Sequence, residues 1–342
     1  MALARLNLTA LTQWITAAAV AHPDRLDHTL AARFGVTRRT AQRALARLAA
    51  MNWLLIDGDA RHRSHRPGLL RQVVQRYALA GLGEDTAWAH DFAPYFAFPA
   101  AVNRMVQHSF CELVNNAIDH SGGSQVTVSL RQTASQAQLL VSDDGRGLFS
   151  RIAETFAIDD PRLAMLELSK GKLTSLPQRH SGQGLFFTSK LADVFDLHAN
   201  EVAFQQRGWD GQGWRTQHAL KREGTSIYAA IAIDTARTLD SVRKAYSFDG
   251  FGVGFERTVV PLRLITSDVA GLESRAQARR VGARLNEFHR AELDFNGVPD
   301  VGHAFADELF RVLARERPAL ELVPVNMSSA VAAMLASVRA ST

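Results

Sequence analysis

The chain has 342 residues, 46% of them hydrophobic and 21% charged, with a formal net charge of +5. This apolar content suffices for two or three modest domains, and no run of 18 apolar residues is present that would span a membrane. The single cysteine, Cys111, excludes an internal disulfide and a multi-cysteine zinc site; with no signal-peptide core at the start, a cytoplasmic protein is expected.

The charge is unevenly distributed. Residues 1–80 carry twelve arginines against four acids, a local balance of +8, which leaves about −3 for the other 262 residues. Such asymmetry directs one end of the chain toward a polyanion. Leu30, Ala31 and Phe34 predict a short helix, Gly35 ends it, and Thr37 is placed to cap the next. The second helix buries Ala41, Ala44, Leu45 and Leu48 and exposes Arg38, Arg39, Gln42, Arg43 and Arg47. Residues 53–66 then predict a two-stranded wing that turns at Asp57 and Gly58, with Arg61, Arg63 and Arg66 on its second strand. A helix, a glycine turn, a basic helix and a wing resemble the bacterial winged helix-turn-helix, which implies double-stranded DNA as partner through residues 1–68. Winged helices also serve as protein-interaction modules, the other reading of this segment. Residues 69–99, with Trp88, Phe92, Tyr95, Phe96 and Phe98, predict a packed connector.

The most informative stretch is residues 110–121, FCELVNNAIDHS. Glu112, Asn116 and Asp119 are four and three residues apart, so on a helix they fall within about 60° of one another. Val106, Phe110, Leu113, Val114, Ala117 and Ile118 occupy the other faces. An alternating run then ends in Asp143-Asp-Gly-Arg-Gly147; Ser181-Gly-Gln-Gly-Leu185 follows, and Gly224-Thr225 leads into a strand at 226–233. Gly182 and Gly184 precede a helical run from Leu185 to Val194, whose start would offer backbone N–H groups to phosphate.

These four blocks, in this order, resemble the GHKL ATPases: gyrase-type topoisomerases, Hsp90, MutL and the histidine-kinase catalytic domain. The resemblance covers roughly residues 86–235 and implies ATP and Mg²⁺ as cofactors. It implies that Asp143 reads the adenine amine with support from Thr225, and that Gly145 and Gly147 let backbone approach the ligand. Asn116 would bind Mg²⁺ and Glu112 would activate water as the catalytic base. Asp119 would help to position nucleotide, and Gly182, Gln183, Gly184 and Leu185 would hold phosphate. Residues 156–180 correspond to the mobile lid of such proteins, with Lys170, Lys172 and Arg179 as cations and Gly171 as hinge.

After a glycine-rich break at 248–254, alternating patterns predict strands at 258–265, 291–295 and 320–325. Helices are expected from Ser267 to Phe288, from His303 to Leu313 and from Ser328 to Val338. Residues 293–310 resemble STAS-like domains, some of which are phosphorylated on serine by GHKL kinases. Here His303 and Ala304 stand where those serines would be, which favours a binding or self-association module.

The expected fold is α+β and multidomain. A winged helix (1–68) and a connector (69–99) precede a GHKL α/β sandwich (100–235), a mixed sheet with helices on one face. A linker (236–255) then leads to a small STAS-like α/β domain (256–342). The function expected is a cytoplasmic ATP-binding regulator that hydrolyses ATP slowly and couples nucleotide state to DNA or partner binding. The alternatives are a protein kinase of the anti-sigma or histidine-kinase type, and a non-hydrolysing ATP-binding scaffold in a defence or toxin–antitoxin system.

Overall fold

The computed structural model describes residues 6–59, 62–174, 182–209, 214–217, 222–248, 250–251, 254–266 and 271–340. The chain forms two compact units, Met1–Gly145 with Ser226–Ala236, and Arg146–Thr225 with Arg237–Thr342.

The first unit opens with helices α1 (Leu8–Ala21), α2 (Leu26–Phe34) and α3 (Arg38–Ala50). Asn7 caps α1 by accepting from the Thr9 and Ala10 N–H groups, and Gly35 ends α2 in the left-handed region at φ +63°. Thr37 accepts from the Thr40 N–H and starts α3, as its position predicts. Leu11, Ile15, Leu30, Leu45 and Leu48 meet in one apolar cluster under the three helices. An antiparallel ribbon of β1 (Leu54–Asp57) and β2 (Ser64–Pro67) follows. Asp57, expected in the turn, is instead the last residue of β1 and pairs with Ser64. Arg63 precedes β2, and Arg61 lies outside the described residues.

The expected connector contributes structure of its own. Its first part is β3 (Arg71–Ala78), which pairs antiparallel with β4 (Gln125–Gln132). A short helix α4 (Glu84–Ala87) and two tighter or wider turns follow, and Trp88 and Phe92 pack on Phe110 with ring centroids 5.3 and 4.9 Å apart. Phe110 belongs to α5 (Ala100–His120), which lies against β5 (Gln136–Asp143). In β4 the residues Val126, Val128 and Leu130 alternate inward and are fully buried, the period of a strand with one face on a core.

The second unit begins with α6 (Leu148–Phe156), α7 (Pro161–Lys170) and α8 (Gly184–Leu191). Strands β6 (Val194–Asn200), β7 (Val202–Arg207) and β8 (Trp214–Gln217) form an antiparallel set. Strand β9 (Arg222–Ala232) then returns the chain to the first unit, where its later residues pair antiparallel with β5. The expected linker contains helix α9 (Leu239–Ala245), begun by a capping box of Thr238 and Ser241.

The C-terminal part is a three-stranded parallel sheet, β10 (Arg257–Pro261), β11 (Arg290–Asp294) and β12 (Glu321–Val325), in that order. Parallel neighbours require crossovers, supplied here by α10 (Arg275–Gly282) and by a helical segment running from α11 (His303–Asp307) through a wider turn to α12 (Ala314–Glu316). Helix α13 (Ser329–Ala340) closes it. The expected cap Ser267 lies outside the described residues; Ser274 caps α10 instead, reciprocally with Gln277. Among the described residues no helix is long and apolar enough to cross a membrane.

Candidate functional site

In the first unit, α5 places Glu112, Asn116 and Asp119 along one half-buried stripe, while Leu113, Val114 and Ala117 on the opposite side are buried. Asp143 ends β5, the strand beneath this helix, and the residue is 6% exposed. It accepts from the Gly145 N–H at 2.9 Å, which turns the chain sharply after the strand. The carboxylate, the amide and Asp143 thus all stand on a packed helix–sheet pair.

Two residues that sequence reasoning passed over hold this arrangement. Asp144 accepts from the Ser124 N–H and hydroxyl at 2.7 Å each and from the Gln125 N–H at 2.8 Å. The Gln125 N–H and then the Ser124 hydroxyl draw its carboxyl down to about 2. Asp144 thereby ties the exit from α5 to the end of β5. The close approach also explains two glycines: a Cβ on Gly145 would lie 2.3 Å from the Ser121 carbonyl oxygen, and one on Gly123 would lie 2.4 Å from Asp144 Oδ1. Gly145 is therefore demanded by its own backbone neighbours. The second overlooked residue is His108, one turn before Glu112, with Nδ1 3.8 Å from Glu112 Oε1. Its signal was the i, i+4 spacing on the same helix.

In the second unit, Gly147 starts α6 at φ +85°, and a Cβ there would meet the Asn200 amide at 2.5 Å. Asn200, itself at φ +53°, donates to the Arg146 carbonyl at 2.9 Å and accepts from the Gly224 N–H at 3.2 Å. Thr225 accepts from the Leu148 N–H at 3.0 Å. The Gly147 and Thr225 blocks, 78 residues apart in sequence, are therefore joined through Asn200 and Leu148. Asn200 left only the weak sequence signal of an Asn-Glu turn.

Gly182 sits at φ +65° against the backbone of Lys172 and Leu173. Gln183 and Gly184 lead into α8, whose start has no side-chain cap, so the first N–H groups of Gly184 and Leu185 face outward from the helix end. Ser181, Arg179 and His180 lie outside the described residues.

Lys170 departs from expectation. It is fully buried, and its ammonium donates to Glu167 Oε1 at 2.5 Å and to the Ala283 carbonyl at 2.9 Å. Arg284 completes the cluster, donating to Glu167 Oε2 at 3.0 Å and to the Gly171 carbonyl at 3.1 Å. Lys170 is thus a packing and capping group in this structure, not a cation poised over phosphate. Within the expected lid, residues 175–180 lie outside the described residues, and residues 161–170 form α7, which packs against β10. Its inward residues Ala164, Met165 and Leu166 are buried, an apolar run that a solvated loop would not carry.

Residues 101–228 match the family model for histidine kinase-, DNA gyrase B-, and HSP90-like ATPases. Residues 277–332 match that for a STAS-like domain of unknown function (DUF4325). No curated protein matches the chain. The chain therefore carries a GHKL-type ATPase domain followed by a STAS-like domain, and the first is a domain type that in general implies ATP with Mg²⁺. Among the described residues no group of three or more His, Cys, Asp or Glu converges on one point. A cation here would rest on few protein ligands and on phosphate oxygens, which is the coordination Mg²⁺ favours, and the Asn116 amide oxygen suits it.

Proposed function

We propose that this chain is a DNA-binding regulator that binds Mg²⁺-ATP, hydrolyses it slowly, and passes nucleotide state to DNA or to a protein partner. The ATP half rests on the polar stripe of α5 beside Asp143. Asp143 is a buried carboxylate at a strand end, suited to accept from the exocyclic amine of adenine, and Thr225 supports the same edge. Glu112 acts as the general base on water, with His108 one turn away to orient it. Asn116 would hold Mg²⁺, which when bound would neutralise phosphate charge. The uncapped start of α8, with Gly182, Gln183, Gly184 and Leu185, takes phosphate oxygens.

The DNA half rests on α3 above all. Arg38, Arg39, Gln42, Arg43 and Arg47 all lie exposed on one side of a helix whose other side carries the core residues Ala41, Leu45 and Leu48. A winged helix-turn-helix over residues 1–68 is the module that such a helix and ribbon compose, and Arg63 is exposed beside the ribbon. The STAS-like domain serves a protein partner or a second copy of the chain.

One experiment separates the chemical alternatives. The purified chain is incubated with γ-labelled ATP, and free phosphate is resolved from phosphoprotein. Released phosphate supports the regulator reading; label on protein, in cis or on an added substrate, supports a kinase. Nucleotide bound but never cleaved supports a scaffold.

A further inference from the structure

The exposed side of α3 contains one acid-held pair among free arginines. Asp27, in the first turn of α2, accepts from Arg38 Nε at 2.7 Å and from Gln42 Nε2 at 3.0 Å through the same oxygen, Oδ2. Its other oxygen accepts from the His28 N–H at 2.8 Å, so the carboxylate is itself fixed to the backbone. The Asp27 side chain is 13% exposed while that of Arg38 is 59% exposed, so the anchor is inside and the anchored group reaches out. Arg39, Arg43 and Arg47 are exposed and have no hydrogen-bond partner among the described residues.

An acid at this place works against attraction to a polyanion, because it cancels the charge of Arg38. It supplies orientation instead. With Nε committed to Asp27, Arg38 presents its two terminal nitrogens, the fork that matches guanine O6 and N7. With one amide hydrogen committed, Gln42 keeps the other hydrogen and its carbonyl oxygen, the two groups that match adenine N7 and N6. The two residues are one helical turn apart, about 6 Å along the axis, and so reach base pairs one or two steps apart. They stand at the N-terminal end of α3, the end of a recognition helix that meets base edges.

We infer that Asp27 is a specificity-determining residue: it fixes Arg38 and Gln42 as a base-reading pair for a guanine and an adenine, while Arg39, Arg43 and Arg47 hold phosphate. This rests on the reading of residues 1–68 as a DNA-binding module. It goes further by dividing the residues into readers and holders and by assigning a role to an acid that touches no DNA.

The test uses the full chain and a pool of randomised duplexes. After selection, affinities for an enriched duplex and a scrambled one are measured by fluorescence anisotropy at several salt concentrations, for the parent, Asp27→Ala and Asp27→Asn. The parent is expected to enrich a site containing a guanine and an adenine one or two steps apart. Asp27→Ala is expected to bind the scrambled duplex within about twofold of the parent or more tightly, yet to lose at least tenfold of the preference for the enriched duplex. Asp27→Asn, which keeps an acceptor oxygen for Arg38, should recover part of that preference.

An unchanged preference in Asp27→Ala overturns the inference and leaves Asp27 as a bond between helices. Equal loss on both duplexes together with a lowered melting temperature does the same. Parent protein that binds DNA but enriches nothing overturns the inference while sparing the DNA-binding reading. Failure to bind any duplex at low salt removes both.

Discussion

The cluster of Lys170, Glu167 and Arg284 makes an asymmetric prediction. Glu167 faces two cations, Lys170 and Arg284, whereas Lys170 has one carboxylate and two carbonyls, those of Ala283 and, at 3.4 Å, Arg280. Glu167→Leu leaves a fully buried ammonium without its carboxylate, beside the Arg284 guanidinium, which keeps only Glu287 as anion, at 3.1 Å; stranding the lysine charge costs about 3–5 kcal/mol. Lys170→Met leaves Glu167 still bonded to Arg284 and strips a donor from two carbonyls at the end of α10, which costs about 1–3 kcal/mol. The double variant should fall short of the sum, because the second change removes a charge that the first left stranded.

Urea unfolding read by two optical probes measures these differences and also tests whether one transition covers the unit. The pH dependence has a defined sign. Burial pushes the Lys170 pKa below its usual 10.5, against the pull of Glu167. The unfolded chain therefore holds that proton at a pH where the folded chain has released it. Stability of the parent relative to Lys170→Met should accordingly rise between the folded pKa and 10.5. If Lys170→Met costs as much as Glu167→Leu, or if both stay within about 0.5 kcal/mol of the parent, the account of the cluster is wrong.

Three further outcomes are expected. Asp143→Asn should weaken ATP binding by about 1–3 kcal/mol, roughly five- to 150-fold, since its one remaining acceptor oxygen is needed by the Gly145 N–H and its NH2 then faces the adenine amine donor to donor; calorimetry giving equal affinities would remove Asp143 from the site. Glu112→Ala should keep nucleotide but lose turnover by about 10²–10⁴-fold, and His108→Gln should keep part of the rate with a displaced pH–rate profile; parental phosphate release by Glu112→Ala would refute the base assignment. The Cys111 thiol, pushed up to about 11 by burial first and then by the acids Glu84, Glu112 and Asp85, should carry about a hundredfold less thiolate at pH 8 than an ordinary cysteine and alkylate correspondingly slowly. Rapid mass-shift with iodoacetamide in the folded protein would contradict that environment.

What the sequence made legible was whatever depends on local periodicity. The stripe on α5, the exposed arginines of α3 and the C-terminal strand–helix alternation all follow from spacing; the three C-terminal strands lie within a few residues of their expected places, whereas the helix expected over 267–288 is α10, Arg275–Gly282. What it concealed depends on partners far away in the chain. Lys170 looked like a solvated cation because its acceptors, the carbonyls of Arg280 and Ala283, lie 110 and 113 residues further on. Asp144 looked like a spare acid beside Asp143, since its donors at Ser124 and Gln125 precede it by 20 and 19 residues. Strand β3 was hidden in a presumed connector because only Val73 along it is deeply buried, which blurs the period-two signal.

The same lysine carries an implication for how the gene could be divided. The two recognisable families stop at residue 228 and resume at 277, a gap that invites treating the STAS-like part as a cassette. Yet the last turn of α7 closes the end of α10 through Lys170, and Arg284 from just beyond α10 closes the end of α7 through the Gly171 carbonyl. Each helix finishes the other. A protein truncated before Arg257 would expose a lysine and a glutamate built for a dry environment, together with the Gly171 carbonyl, and a foreign STAS-like domain grafted in its place would need an arginine at the position of Arg284. Inherited modules and load-sharing parts are thus cut along different lines in this chain, and shuffling by descent has to respect the second set.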